Sequence, residues 1–350
     1  MTITPLNAPV LLGRPARNAE VRAAARNLRG ARVLVTGASG SIGTHLSHAL
    51  AQAGVEALIL LDHHEHSLYD LVRELEAIQP APIYVLADIR NGPKMRRIFH
   101  QHRPTHVLHL AAYKHVPFGQ LFPEETVSVN ISATRLLLEL SIESGVSRFV
   151  YPSSDKAVNP PSLYGATKRV SEVATQQLAL TQHMPYCIVR YVNVLGTRGS
   201  VIETFSRQLD AGHGLTVTDA SMTRYWMTMD EAVWLLLAAA TQGLTADVLM
   251  LDDLNEITVL DMASRLSDLL GYGSKPEIRI TGIRPGERLR EELISAQEAF
   301  TSGPTVGISR VTHVRRDAQL AIAVPSFAES FDIPSEALTN QVMELARRLQ

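Results

Sequence analysis

The stretch VLVTGASGSIGTHLSHAL, residues 33–50, decides the fold. Its first four residues form an apolar run of strand character. Three glycines follow, Gly37, Gly40 and Gly43, with Ser39, Ser41 and Ile42 between them, and the last glycine sits inside a stretch of helix length. A strand, a glycine turn and a helix in that order give a backbone without Cβ atoms. That backbone lets a pyrophosphate approach the helix N-terminus and its free N–H groups. Asp62 closes the next apolar run, EALILLD (56–62), 19 residues past Gly43, where a carboxylate can accept ribose hydroxyls. Strand, glycines, helix and acid together read as a dinucleotide site rather than a plain glycine-rich turn.

Working outward, short apolar runs alternate with helix-length segments: ARVLVT (31–36), EALILLD (56–62), PIYVLAD (82–88), THVLHLAA (105–112), SRFVYPS (147–153) and YCIVRYV (186–192). Each run is apolar through its middle, as expected of parallel strands covered on both faces. The alternation predicts an α/β fold, a Rossmann-like doubly wound parallel sheet carrying a smaller α/β substrate-binding lobe. Residues 1–30 hold Arg14, Arg17, Arg22, Arg26 and Arg29 against Glu20 and read as an N-terminal arm with a short helix. Residues 31–192 read as the NAD-binding domain, with later contributions from about 226–260. Residues 193–350 read mainly as the substrate lobe and a tail, the tail containing AIAVPSF and a helix from about Ser335 to Arg348.

Composition excludes several classes. The 350 residues carry 33 Lys+Arg against 35 Asp+Glu, a net charge of −2, which argues against a nucleic-acid binder working by phosphate neutralisation. The apolar run AVWLLLAAA (232–240) is far short of the ~20 residues a bilayer requires, so no membrane segment is expected. The one cysteine, Cys187, and the lack of a leader pattern make a reducing cytoplasm the default expectation. Only 5 of the basic residues are Lys: Lys94, Lys114, Lys156, Lys168 and Lys275.

Asp62 repels a 2′-phosphate, and the following HHEH (63–66) contains no Arg to bind one, so NAD is favoured over NADP. HHEH reads as a solvated loop and not as a metal cluster, because zinc ligands come from separated positions. Asp88 and Ile89 follow the third strand where such folds contact adenine. Ala111 and Ala112 follow the fourth, where small residues leave room for the nicotinamide ribose. Tyr164 and Lys168 are four apart and share a helix face. An ammonium beside a phenol favours the phenolate, a base usable near neutral pH. Ser154, at the end of the fifth strand, can bond the same substrate oxygen. With the Gly-x-x-Gly-x-x-Gly spacing, these residues resemble the short-chain dehydrogenase/reductases.

Asp155 and Lys156 go beyond that scaffold. Plain hydride transfer needs neither. Removing water from a sugar needs one group to take a proton from carbon and another to protonate the departing hydroxyl. The ordered motifs HLAAYKHVP (109–117), SSDKAVNPPSLYGATKR (153–169), VRYVNVLGTRGSVI (189–202), LTVTDASMTRYWMT (215–228) and TGIRPGERLREEL (281–293) resemble the UDP-N-acetylglucosamine 4,6-dehydratases of polysaccharide-biosynthesis type, in the extended short-chain dehydrogenase/reductase superfamily. The resemblance implies that Ser154, Asp155 and Lys156 carry out dehydration, with Tyr164 and Lys168 serving C4 oxidation. It also implies that cationic neighbours lower Lys156 and that burial raises Asp155.

By the same resemblance Arg224 and Arg284 meet the diphosphate of a UDP-sugar, Glu287 meets the uridine ribose, Asn193, Arg198 and Ser200 line the sugar site, and Lys114 lies near the sugar or the nicotinamide. It further implies a homo-oligomer. The LLGRP and NLRG segments are similar to the linker of large membrane-anchored members, so this chain is expected to be the catalytic part alone. Val192 stands where the family has Gly, and Arg288 where it has Lys. Two rivals remain open: a UDP-sugar 4-epimerase, which needs no acid–base pair at C5 and C6, and a non-catalytic NAD-binding regulatory protein.

Overall fold

The structure, a computed structural model, describes residues 7–16, 20–313 and 332–350. Arg17 and AIAVPSF lie outside the described residues. Six strands form in the expected places: β1 (Arg32–Thr36), β2 (Ala57–Asp62), β3 (Ile83–Leu86), β4 (His106–His109), β5 (Arg148–Ser154) and β6 (Cys187–Tyr191). They pair in parallel in the order 3-2-1-4-5-6. In a doubly wound sheet this order puts the switch point between β1 and β4, where ligands bind outside the strands' C-terminal ends.

The third and fourth strands are shorter than their apolar runs. Residues 87–89 and 110–112 leave the ladder, and their backbone turns to line a cleft. β3 is also less buried than a two-sided strand, because it forms one edge of the sheet. At the other end the sheet takes up the contribution expected from about 226–260 and then goes further than the sequence suggests. Val248–Leu251 continues it in parallel beside β6, and Ile308–His313 and Glu298–Ser302 then add antiparallel strands. Residues 298–313, expected in the substrate lobe or tail, therefore extend the main sheet.

Each sheet face buries its own apolar core. One core packs Leu46 and Leu50 of the helix Ser41–Ala51 and the apolar face of Met229–Gln242 on Val33, Val35 and Val189. The other packs Met95, Phe99, Leu137 and Leu138 on Leu34, Ile59 and Phe149. Met229–Gln242 is apolar nearly all round because it is buried nearly all round, and a capping box fixes its start. Thr228 Oγ1 accepts from the Glu231 amide at 3.0 Å and Glu231 Oε2 from the Thr228 amide at 2.9 Å. Arg14 pairs with the same Glu231, so the N-terminal segment is anchored to this helix.

The smaller lobe has a three-stranded sheet, from Asn193–Val194, Thr223–Met227 and Glu256–Thr258, and a two-stranded one, from Leu215–Val217 and Ile278–Ile280. Leu11 and Leu12 of the N-terminal helix Ala8–Leu12 enter the lobe's core beside Phe205, Trp226 and Met262. The helix Ser335–Arg348 forms where its sequence predicts. It packs on the long helix Leu163–Thr181 of the main domain, through Leu338, Val342 and Ala346 against Leu163, Ala166 and Val170. No helix among the described residues is long and apolar enough to cross a membrane.

Candidate active site

A cleft of about 340 Å³ opens at the switch point, lined by Gly37, Ser39, Gly40, Asp62, Asp88 and Ile89, with Ala111 and Ala112 further along. Gly37 is at φ +69°, and a Cβ there would lie 2.7 Å from the Ala111 nitrogen, so the turn and the β4 loop meet through bare backbone. Beyond it, Ser41 opens the helix Ser41–Ala51, with Ile42 and Gly43 in its first turn. This cradle fits a dinucleotide, whose pyrophosphate would sit on the helix N-terminus.

Asp62 is buried at the cleft wall. Burial would raise its carboxyl. Instead hydrogen bonds hold it well below the usual carboxylate range: from His63, from the His64 amide at 3.0 Å and from the Ser39 amide at 3.0 Å. A carboxylate fixed in this way remains an anion ready for ribose hydroxyls. HHEH serves local structure, since His64 Nδ1 accepts from the Ser67 amide at 3.2 Å and caps the next helix.

Two arginines line this cleft, Arg90 from the loop after β3 and Arg198 from a distant segment. Arg90 grips Asp88 with two nitrogens, at 3.0 and 2.7 Å, and reaches Glu125 at 2.7 Å. Arg198 corrects the expectation. Its amide donates to Ser41 Oγ at 3.0 Å, and its guanidinium bonds Ser67 Oγ at 3.2 Å and the Ser39 carbonyl, so it straps the glycine turn rather than lining the sugar site. Lys114 Nζ holds the strap from the other side by donating to the Arg198 carbonyl at 2.8 Å. The absence of Arg from HHEH therefore does not leave the adenosine end without guanidinium groups.

The other cluster grows from the end of β5. Ser154 caps the short turn Asp155–Ala157, accepting from the Lys156 amide at 3.3 Å. Pro160, Pro161 and the N-cap Ser162 then start the long helix, so Tyr164 falls in its first turn and Lys168 one turn on. Gly165 makes the packing possible. A Cβ there would fall 2.1 Å from the Lys156 carbonyl oxygen, so only glycine lets the Asp155–Ala157 turn lie on the helix beside Tyr164. Asn130, in a π-helical turn at Ser128–Ala133, ties these parts together: it bonds the Tyr113 amide and carbonyl, both at 2.9 Å, and Thr167 Oγ1 at 3.0 Å.

The electrostatics differ from those expected of a simple Tyr–Lys pair. Lys168 donates to the Pro152 carbonyl at 2.9 Å and lies over the Tyr151 ring, and burial lowers it to about 7. Burial raises the Tyr164 phenol; the charge that opposes this is that of Lys156, together with a hydrogen bond between Tyr164 and Ser154. Lys156 itself is raised, not lowered. Burial alone would depress it, but the carboxylates of Asp155 and Glu291 outweigh that and the opposing charge of Arg224. Its Nζ lies 3.1 Å from Asp155 Oδ1 and 3.5 Å from Glu291 Oε1. Asp155 is buried, and its other oxygen, Oδ2, has no hydrogen-bond partner.

Of the residues expected at the nucleotide-sugar end, Arg224 is buried next to this cluster, with Nε 3.7 Å from Glu291. Asn193 is committed to the Tyr225 carbonyl at 3.1 Å, and Ser200 caps the helix Val201–Asp210. Arg284 is exposed and Glu287 half-buried on one loop, where Arg284 N donates to Glu287 Oε2 at 3.4 Å. That loop comes back to the site at Gly286, whose nearest neighbour is Ser162. Sequence reasoning missed Arg90, Asn130 and Glu291. Only Glu291 carried a signal, as an acid within the GERLREEL run.

Residues 33–312 match a family described as polysaccharide biosynthesis protein. The chain belongs to that family. A family relative, the probable polysaccharide biosynthesis protein EpsC of Bacillus subtilis, is 38% identical over 300 residues, 85% of this chain and 50% of that protein. The chain thus spans about half the length of that curated relative. The UDP-N-acetylglucosamine 4,6-dehydratase (inverting) of Campylobacter jejuni is 29% identical, the match covering 76% of this chain and 78% of the other. A UDP-glucose 4-epimerase of Rickettsia rickettsii is 30% identical, covering 83% and 85%. Among solved structures, Pen from Bacillus thuringiensis superposes with a TM-score of 0.75 at 26% identity, covering 92% of this chain and 99% of that one. The fold is that of the extended short-chain dehydrogenase/reductases.

Proposed function

We propose that the chain is an NAD-dependent nucleotide-sugar 4,6-dehydratase acting on UDP-N-acetylglucosamine or a related UDP-hexose. The observation that carries this reading is the Asp155–Lys156 ion pair at the end of β5, its carboxylate buried and its amine half-buried, beside Ser154 and Tyr164. An epimerase has no use for a proton carrier there. The Campylobacter dehydratase supports the reading, and the Rickettsia epimerase keeps the alternative in view.

Bound NAD would take hydride from C4 and return it at C6. Tyr164, oriented by Ser154 and acting as its phenolate with the Lys156 charge to favour that form, takes the C4 hydroxyl proton. The ketone so formed acidifies the C5 hydrogen. The ion pair holds one proton between two groups. When Lys156 passes it to Asp155, an N–H bond breaks and an O–H bond forms, leaving a neutral amine and a carboxylic acid. The amine then removes the C5 proton, and the C–H pair becomes the C5–C6 double bond as the C6–O bond breaks. Asp155 gives its proton to the leaving hydroxyl, which departs as water. Lys156 finally returns a proton to C5. Asp62 and the glycine turn hold the dinucleotide, Arg198 straps that turn, and Arg224 and Arg284 supply cations for the sugar's diphosphate.

The test is incubation of the chain with UDP-N-acetylglucosamine and a panel of UDP-hexoses, with NAD, in D₂O. We expect a product lighter than substrate by one water, apart from exchanged deuterium, with deuterium at C5. A product of unchanged mass inverted at C4 would replace this reading with the epimerase. Tight NAD binding without turnover of any sugar would leave a binding protein.

A further inference from the structure

Four charges of alternating sign run in a row beside the proposed reaction centre: Asp155, Lys156, Glu291 and Arg224, at successive separations of 3.1, 3.5 and 3.7 Å. Asp155 and Lys156 come from the turn after β5, Arg224 from the strand Thr223–Met227 of the smaller lobe, and Glu291 from the segment that returns from the exposed 281–289 loop. Glu291 is 8% exposed, so its charge is felt with little screening by water. The groups facing Lys156 are Asp155, Glu291, Arg224 and Tyr164.

The chemistry above gives this row a function. Elimination needs one proton for the departing hydroxyl, and the resting site must carry it. A buried amine flanked by one carboxylate and a phenol would shed that proton easily, because burial disfavours the ammonium. A second carboxylate on the opposite side opposes the loss. It also fixes a flexible side chain between two acids, so that Nζ stays within reach of Asp155 Oδ1.

We propose that Glu291 is a positioning residue for Lys156, holding on that amine the proton that elimination passes through Asp155 to the C6 hydroxyl. The inference rests on the dehydratase reading for its consequence, though not for its first measurement. The chain has 5 lysines, so a sample labelled with ¹³C at lysine Cε gives a spectrum simple enough to follow each one, with Lys156→Arg assigning the signal. In Glu291→Gln the Lys156 resonance should titrate about one pH unit lower than in the wild type, and Glu291→Asp should restore most of the difference. An unchanged titration overturns the proposal. If Glu291→Gln does not fold, the wild-type titration decides: a Lys156 signal that titrates below the ordinary lysine value, about 10.4, overturns the proposal.

The second measurement is the pH profile of product formation. Its alkaline limb should move down by the same amount in Glu291→Gln, while formation of reduced cofactor from bound NAD, which reports C4 oxidation, keeps its maximal rate. A purely structural residue would depress both steps alike, and that result counts against the proposal. If no sugar is dehydrated by the wild type, the dehydratase reading fails; the titration then still decides whether Glu291 holds the proton on Lys156.

Discussion

Two clusters of buried charge sit in this molecule and are built on opposite plans. In one, Arg190 lies between Glu172 and Glu298 with Arg169 alongside, all four almost fully buried. Arg190 reaches Glu172 at 2.6 and 3.1 Å and Glu298 at 2.6 and 2.9 Å, and Arg169 adds the Leu349 carbonyl at 3.0 Å. The forked guanidinium spends its donors in fixed directions. In the other, the central cation is Lys156, a single nitrogen at 3.1 and 3.5 Å from its acids, and Asp155 Oδ2 has no partner. The saturated network joins β6, the long helix and the strand Glu298–Ser302; its arginines cannot give up a proton, and His313 stands at its edge, 3.4 Å from Glu298. The unsaturated one keeps a movable proton and an open acceptor. On the proposed function, charge serves architecture where every group is paired and chemistry where an acceptor is left over.

The largest effect that would break this contrast is expected at Lys156. Arg at that position keeps the positive charge but cannot act as a base. Lys156→Arg should lower dehydration roughly 10²–10⁴-fold, the usual worth of a positioned acid or base, and leave the urea midpoint nearly unchanged. Comparable turnover in the variant would mean that the amine carries no proton and that both clusters are structural.

Next in size is the saturated cluster. Glu298→Ala leaves Arg190 with one carboxylate in a site closed to water, a change that costs about 3–5 kcal/mol when a buried pair is broken. Urea denaturation should report that loss, while turnover per folded molecule at low temperature stays near the wild-type value. The acid side of the stability curve should also change. Glu298 and Glu172 are buried, yet their arginines hold both carboxyls below their ordinary range. A depressed carboxyl contributes stability that is present above its unfolded pKa and lost as pH falls through the folded one. The wild type should therefore lose stability in acid more steeply than Glu298→Ala.

The two clusters also differ in how far they can be read from sequence. The glycine turn, Asp62 and the Ser154-to-Lys168 run are local, and local spacing fixed on a strand and a helix carries into three dimensions. Arg190 and Glu298 are 108 positions apart, and their pairing depends on an antiparallel edge that follows irregular loops. Glu291 reads as one acid in a charged run until the chain folds it against Lys156. Arg198 lies in a motif assigned by resemblance to the sugar site, but the loop turns its guanidinium onto Ser39 and Ser67. Residue type was legible in each case; the partner was not, because it comes from a segment with its own separate pattern.

The smallest effect sharpens the contrast at the alkaline end of the pH scale. Lys156 is held above its ordinary value by Asp155 and Glu291 against the pull of burial. A lysine raised on folding contributes stability that is fully present below its unfolded pKa, near 10.4, and lost as pH rises through its folded value. Glu291→Gln removes one of the two acids but leaves Asp155 on Lys156 and the Thr223 carbonyl, at 2.7 Å, on Arg224. The variant should be less stable than the wild type by about 1 kcal/mol near pH 8, since an ion-pair partner is lost while the ions retain other contacts. Above pH 10.5 the gap should narrow, because the wild-type Lys156 then begins to give up the charge that Glu291 was holding. Urea midpoints taken between pH 8 and pH 11 measure this. A gap that stays constant over that range would mean that Glu291 supports the fold through Arg224 alone, and the unsaturated cluster would then lose its claim to a stored proton.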